Sequence, residues 1–209
     1  MAVHYSIDVY NNIMDDLDGI LAAKLQIRSE FGAILDNVCD AFAHTLFVLL
    51  VAMQYADLGN SVNMVSIAIA LSGFMAATAL LFRVVTRLSP NLLTGTGTAT
   101  NELMRHLLFV LLLSNYYEFN PGTILIVTFI LHAVSMLVPF RMPYLVRTLS
   151  KTATTVTLVN VAIVVAWLLP LTLPVIAGCF AGTYLYSFIV GGLSWLQQEN
   201  PDALTNKAD

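Results

Sequence analysis

Long apolar runs restrict what this chain can fold into. They lie at residues 33–56, 61–85, 103–117, 122–140 and 153–196. A helix needs about 20 apolar residues to cross a bilayer, and each of the first four runs approaches that length. Only 11% of the 209 residues are charged, against roughly 25% in soluble domains. The sequence therefore predicts an all-α integral membrane protein with several spans.

Two prolines divide the fifth run, which is about twice the length of the others. Pro170 and Pro174 lie close together, and proline stops a helix because it lacks an N–H group and clashes with the preceding turn. We therefore expect two helices here, at about 153–169 and 172–196, joined by a tight turn. The whole chain then forms a bundle of about six transmembrane helices, preceded by a short motif-bearing helix.

The basic residues predict the orientation of this bundle. All nine lysine and arginine residues can be placed on one side of the membrane, and basic residues in short loops stay on the cytoplasmic side. We expect one membrane-embedded domain over residues 1–197 and a polar cytoplasmic tail at 198–209. The net charge of −4 gives no reason to expect nucleic acid as a partner. Cys39 and Cys179 lie in separate predicted spans, so a disulfide is not indicated.

Between Asp15 and Asp40, a cluster of carboxylates interrupts the apolar sequence. The segment reads D-D-L-D-G-I-L-A-A-K-L-Q-I-R-S-E-F-G-A-I-L-D-N-V-C-D. Residues 2–24 can form one helix, on which Asp15 and Asp18 lie three residues apart. Charge inside a membrane is costly, so such a cluster marks a candidate functional site.

A second helix is predicted after the basic turn at 24–28. Ser29 is a suitable N-cap, because its hydroxyl group can accept a hydrogen bond from the first helical turn. Gly32, Asp36 and Asp40 then recur every four residues. They therefore share one face of this helix.

An antiparallel hairpin of the two helices would bring both pairs of carboxylates together, about 9–17 Å from the turn. Four carboxylates cannot all stay ionised alone in a low-dielectric pocket, and divalent cations resolve the repulsion. Oxygen ligands suit Mg²⁺ or Mn²⁺, and paired metal ions commonly bind phosphates. The predicted two-metal ligands are Asp15, Asp18, Asp36 and Asp40. Small residues that would let a phosphate group approach the backbone are Gly19, Ala22, Ala23 and Gly32.

This segment resembles the signature of the CDP-alcohol phosphatidyltransferase family, D-x-x-D-G-x-x-A-R-x8-G-x3-D-x3-D. Seven positions match in residue and spacing: Asp15, Asp18, Gly19, Ala22, Gly32, Asp36 and Asp40. The resemblance covers about an eighth of the chain. It implies an enzyme of phospholipid biosynthesis that transfers a phosphatidyl group from CDP-diacylglycerol to a small alcohol and releases CMP at the cytoplasmic face of the membrane.

The resemblance also implies separate roles for the motif residues. Asp15, Asp18 and Asp36 would be ligands of two metal ions that bind the diphosphate. Asp40, also near a metal ion, would be the general base that takes the proton from the acceptor hydroxyl. The expected substrate-binding residues are Gly19, Ala22, Lys24, Ser29 and Gly32, of which Gly19 and Ser29 occupy positions that line the CDP-lipid site in the family.

The chain departs from the family pattern at two points. Ala23 stands where the family has arginine, and the adjacent Lys24 replaces that charge only if its side chain reaches back. Family members also carry an amphipathic helix and a span before the motif helix, whereas fourteen residues precede Asp15. A truncated or catalytically degenerate family member is therefore an alternative. A divalent-cation transporter is another, although the helix beyond His44 is almost purely apolar.

Several features outside the motif have two interpretations each. The acceptor is not specified, although six spans resemble the longer serine-type enzymes and slightly favour serine. Gly178-x-x-x-Gly182 fits either a homodimer contact or packing within the chain. We interpret His44 and His132 as polar residues tucked into the bundle. Candidate phosphate anchors, for which membrane topology and attraction to anionic lipid are the favoured explanation, are Arg83, Arg87, Arg141, Arg147 and Lys151.

Overall fold

The structure of the chain is a computed structural model. It describes residues 24–25, 29–59, 62–88, 100–138, 140, 142 and 153–199. Over these ranges the chain is helical and contains no strand. The helices are α1 (Glu30–Ala56), α2 (Met64–Leu88), α3 (Thr100–Tyr117), α4 (Gly122–Leu137), α5 (Ala153–Leu168) and α6 (Leu173–Glu199). Each begins and ends within a few residues of a predicted one, which confirms the all-α prediction.

Three of the described helical segments are long and apolar enough to cross a membrane. They are Glu30–Ala56, Met64–Thr86 and Pro170–Gln198. Helices α4 and α5 each have 16 residues, which is about 24 Å against a hydrocarbon core of about 30 Å. Helix α3 contains Glu102, Arg105 and His106 within its first two turns. The helix positions are thus confirmed, whereas the predicted count of six spans is not.

The predicted break in the fifth apolar run is present. Helix α5 ends at Leu168, and a 3₁₀ turn at Pro170–Thr172 leads into α6. The backbone N–H of Thr172 donates to the Leu169 carbonyl at 2.8 Å, and the Thr172 hydroxyl donates to the same oxygen at 2.8 Å. Pro174 occupies the first turn of α6, where its missing N–H group leaves no helical hydrogen bond unmade.

Helix α3 separates two apolar cores. One side of α3 packs with α1, α2 and α4, and this core includes Val48, Ala52, Ala76, Leu80, Leu107 and Phe129. The other side packs with α5 and α6, and this core includes Leu108, Phe109, Leu112, Ile163, Leu173 and Ala177. Because α3 belongs to both cores, it fixes the α1–α2–α4 group against the α5–α6 hairpin.

Helices α1 and α2 are antiparallel neighbours with the most extensive contact in the described bundle. Asp57 ends α1 in the left-handed conformation, with φ 45° and ψ 42°. The two backbones approach most closely where Gly73 lies against Ala52, and a Cβ atom on Gly73 would overlap the Ala52 Cβ. This contact fixes which residues of α1 and α2 lie at the same level.

Candidate functional site

Ser29 begins the helix that carries the second half of the acidic motif. Its backbone is extended, with φ −126° and ψ 153°. The Gly32 N–H donates to Ser29 Oγ at 3.0 Å, and the Ala33 N–H donates to the Ser29 carbonyl at 3.1 Å. Glu30 lies in the first turn, where a carboxylate stabilises the positive end of the helix dipole. The predicted N-cap is therefore confirmed.

Gly32 has a local structural role in this cap. A Cβ atom at this position would lie 2.9 Å from Ser29 Oγ. That is closer than carbon and oxygen normally approach, so a larger residue would push the hydroxyl away from the N–H that it caps. Gly32 therefore leaves room for the Ser29 hydroxyl to cap α1. This role is separate from the substrate contact that the sequence predicts for Gly32.

Asp36, Asp40 and His44 follow Gly32 along one face of α1. Successive members lie about 6 Å apart along the helix axis. Asp36 is exposed, whereas Asp40 and His44 are partly buried, and all three take part in polar, ring or electrostatic contacts. This face is therefore exposed at the start of the helix and partly buried further along it. The partial burial of His44 agrees with its predicted position inside the bundle.

The tyrosine at the other end of α1 shows which way this face points. The Tyr55 hydroxyl group lies within hydrogen-bonding reach of the Ser114 side chain in α3. His44 precedes Tyr55 by eleven residues, about three helical turns, and therefore lies on the same side of α1. Asp40 lies one turn before His44, closer to the start of α1. His44 and Asp40 are therefore on the side of α1 that is turned towards α3, whereas Asp36 is exposed.

A buried arginine side chain lies at the same height in the bundle as Asp40 and His44. Gly73 of α2 lies at the same height as Ala52 of α1. Arg83 follows Gly73 by ten residues, and Phe42 precedes Ala52 by ten residues. In an antiparallel pair these two positions lie at the same height. Arg83 is only 8% exposed. It therefore lies between the levels of Asp40 and His44.

Half of the predicted metal-ligand set belongs to the described structure. Asp36 and Asp40 are two oxygen donors on adjacent turns, which suits a hard divalent cation. In the part of the chain that the structure describes, no three His, Cys, Asp or Glu side chains are close enough together to hold a metal ion. The predictions for Asp15, Asp18, Gly19, Ala22 and Ala23 lie outside the described residues, as do those for Arg141, Arg147 and Lys151. Of the remaining candidates, Lys24 is exposed and Ser29 and Gly32 form the cap.

A buried polar layer joins α3, α4 and α6 and is missing from the sequence-based site. His132 is 1% exposed, and its ring stacks on Tyr184 with centroids 4.5 Å apart. The His106 ring lies 5.0 Å from His132 and 5.1 Å from Tyr184. The Tyr184 hydroxyl donates to Ser135 Oγ, which in turn donates to the His132 carbonyl at 3.0 Å.

This layer confirms the interpretation of His132 as a residue tucked into the bundle. His106 is held by a 2.7 Å hydrogen bond between its Nδ1 atom and the Glu102 carbonyl. Tyr184 and Ser135 carried no sequence signal, because they lie 49 residues apart.

The small residues of α6 face open space in the described structure. A Cβ atom on Gly178 or Gly182 would meet no heavy atom within 4 Å. No described helix packs closely against these two glycines, and both interpretations of the Gly178-x-x-x-Gly182 pattern stay predictions. Cys39 and Cys179 are both exposed free thiols.

Comparison with known proteins leaves the function open. No protein-family model matches the chain. An uncharacterized protein from Aquifex aeolicus (strain VF5) is 38% identical over 48 residues, which is 23% of this chain. The match spans 24% of that relative's length. No solved structure matches.

Proposed function

We propose that this chain is a metal-dependent phosphatidyltransferase of the CDP-alcohol type. The carrying observation is the seven-residue match to the family signature between Asp15 and Asp40. Its second half lies on a capped helix with two carboxylates on successive turns. The reaction takes a phosphatidyl group from CDP-diacylglycerol to a small alcohol and releases CMP, with serine slightly favoured as the acceptor.

The depth of the carboxylates supports a lipid substrate. Asp36 and Asp40 lie about 9 and 15 Å along the axis from the start of α1, which is long and apolar enough to span a membrane. At that depth, a diphosphate could reach the carboxylates while the acyl chains of the same molecule remain among apolar side chains. We place this end of the bundle at the cytoplasmic face, because the basic loops predict it.

In the proposed reaction, the acceptor oxygen forms a bond to the phosphorus atom that carries diacylglycerol. The bond between that phosphorus and the bridging oxygen breaks, and CMP leaves with the electron pair. Asp40 takes the proton from the acceptor hydroxyl. Asp15, Asp18 and Asp36, with Asp40, would hold Mg²⁺ or Mn²⁺, which would offset the negative charge of the diphosphate.

A second candidate is a divalent-cation transporter that uses the same carboxylates. The observation that favours it is the buried polar layer of His106, His132 and Tyr184, because polar groups within a membrane bundle often line an ion path. The seven-residue match to the transferase signature includes Asp40, whereas none of the residues in the polar layer belongs to that signature. We therefore favour the transferase.

The two functions are separated by one set of assays on the full chain in proteoliposomes. CMP release from CDP-diacylglycerol is measured with serine, glycerol phosphate and inositol phosphate, each with and without Mg²⁺ or Mn²⁺. The proposal predicts release with at least one alcohol and only with metal. Metal-driven uptake into the vesicles without CMP release would support the transporter, and neither activity would favour a degenerate member of the family.

A further inference from the structure

Arg83 is an unusual residue for its position. It lies in the last two turns of α2, a long apolar helix, and is 8% exposed. An arginine side chain keeps its charge under all ordinary conditions. A buried charge of this kind is costly in a bilayer and normally has a function there, with an anion as its partner. Arg83, which has contacts of its own within the protein, is therefore a candidate to bind an anion as well.

The contacts of α2 show which side of the helix Arg83 occupies. Gly73 marks the side that contacts α1. Ile69 marks the side that contacts α4, because a Cβ atom on Gly122 would lie 3.1 Å from its Cδ1 atom. Arg83 follows Ile69 by fourteen residues, about four turns, and shares its side. It is therefore on the inward side of α2, turned from α1 towards α4.

Asp40 and His44 of α1 are turned towards the same interior space. Asp40 and His44 lie on the side of α1 that carries Tyr55 towards α3, and α3 and α4 are neighbours in the bundle. The level of Arg83 falls between Asp40 and His44. A carboxylate pair and a buried guanidinium group thus border the same end of the bundle, from two different helices.

The motif of this chain supplies one arginine fewer than the resembled signature. Ala23 occupies the position where the resembled signature has arginine, and the neighbouring Lys24 is exposed. A guanidinium group can donate two parallel hydrogen bonds to the oxygens of one phosphate, which a lysine cannot do. Arg83, at the height of Asp40, can therefore offer a phosphate group the two-pronged contact that Ala23 cannot.

We propose that Arg83 binds a phosphate group of the donor's diphosphate beside Asp40. This inference rests on the proposed transferase function. In the absence of substrate, Arg83 is held by its own contacts within the protein. When the diphosphate binds, its oxygens become the principal anionic partner of the guanidinium group.

The test compares Arg83→Gln and Arg83→Lys with the parent chain in the CMP-release assay. Arg83→Gln is expected to raise the KM for CDP-diacylglycerol at least tenfold and to leave the KM for the alcohol within twofold. Arg83→Lys keeps the charge but not the two-pronged geometry, so an intermediate rise of about three- to fivefold is expected. The lysine variant also keeps the test valid if the glutamine variant does not fold.

The matched control is Arg105→Gln. Arg105 lies in the first two turns of α3, but its guanidinium group is paired with Glu102 of the same helix at 3.0 Å. Its replacement is expected to change the KM for CDP-diacylglycerol by less than twofold. A tenfold rise there as well would mean that any loss of positive charge in the bundle has this effect, and would overturn the specific role of Arg83.

A binding measurement separates the two proposals. Mn²⁺-dependent binding of CDP-diacylglycerol is measured in the absence of any acceptor alcohol, so that no transfer occurs, and Arg83→Gln should weaken it about tenfold. Unchanged binding and KM in an active enzyme would overturn the role of Arg83 alone. A rise confined to the KM of glycerol phosphate would assign Arg83 to the acceptor instead. A parent chain that neither binds CDP-diacylglycerol nor releases CMP would overturn both proposals.

Discussion

Gly73 of α2 lies directly against Ala52 of α1, so closely that a Cβ atom on the glycine would overlap the Ala52 Cβ. The Phe129 side chain is the next neighbour, at 3.5 Å from the same position. The contact fixes the register of the antiparallel pair. It therefore also fixes the height of Arg83 relative to Asp40.

Gly73→Ala should destabilise the bundle because the added methyl group has no space. Overpacking of this kind typically costs about 1–3 kcal/mol. The matched control is Gly178→Ala, since a Cβ atom there would meet nothing within 4 Å; alanine at an open helical site stabilises by about 0.5–1 kcal/mol. Thermal unfolding in detergent should show a lower midpoint for the first variant only. Equal midpoints would contradict the close contact between α1 and α2.

Ser29→Ala should loosen the start of α1. The variant removes the acceptor for the Gly32 N–H, and the loss of such a cap costs about 1 kcal/mol. Hydrogen exchange at the amides of residues 31–33 should become faster. Ser194→Ala, at an exposed position inside α6, should leave that exchange rate unchanged. Unaltered exchange in the Ser29 variant would contradict the capping role.

Tyr184→Phe should destabilise the protein without changing its catalysis. The variant removes a buried hydroxyl group that donates to Ser135, and a lost buried hydrogen bond costs about 1–2 kcal/mol. Tyr186→Phe is the control, because Tyr186 is 53% exposed two residues further along α6. Chemical denaturation should separate the two variants. If a fully folded sample of Tyr184→Phe lost CMP release, Tyr184 would instead take part in the reaction.

Metal dependence should respond to Asp36. If Asp36 is one of the ligands, Asp36→Asn should raise the Mg²⁺ or Mn²⁺ concentration needed for half-maximal CMP release by about tenfold or more, because one anionic oxygen donor is lost. A chelator should abolish activity in the parent chain, and added metal should restore it. The same metal requirement in parent and variant would remove Asp36 from the ligand set.

The sequence predicted the parts of this fold that depend on local chemistry. The extent of the apolar runs predicted the helices, Pro170 predicted the break between α5 and α6, and Ser29 predicted the start of α1. The positions of Asp36 and Asp40 on one face followed from their spacing alone.

The remaining features depend on how separate helices pack. The contact between Tyr184 and Ser135 joins residues 49 positions apart, and no periodicity within one helix can reveal it. The height of Arg83 relative to Asp40 likewise depends on the fit of Gly73 against Ala52. The number of spans could not be counted from apolar runs, because α4 and α5 end after 16 residues.

The most direct test of the central proposal is CMP release from CDP-diacylglycerol by three forms of the full chain, with saturating alcohol and Mg²⁺ or Mn²⁺. They are the parent, Asp40→Asn, and Asp57→Asn, a matched control at the opposite end of α1 in a left-handed conformation that asparagine also adopts. We expect release by the parent and by Asp57→Asn, and a loss of at least a thousandfold in Asp40→Asn. Release at the parental rate by Asp40→Asn, or none by the folded and metal-loaded parent with any alcohol, would contradict the proposed function.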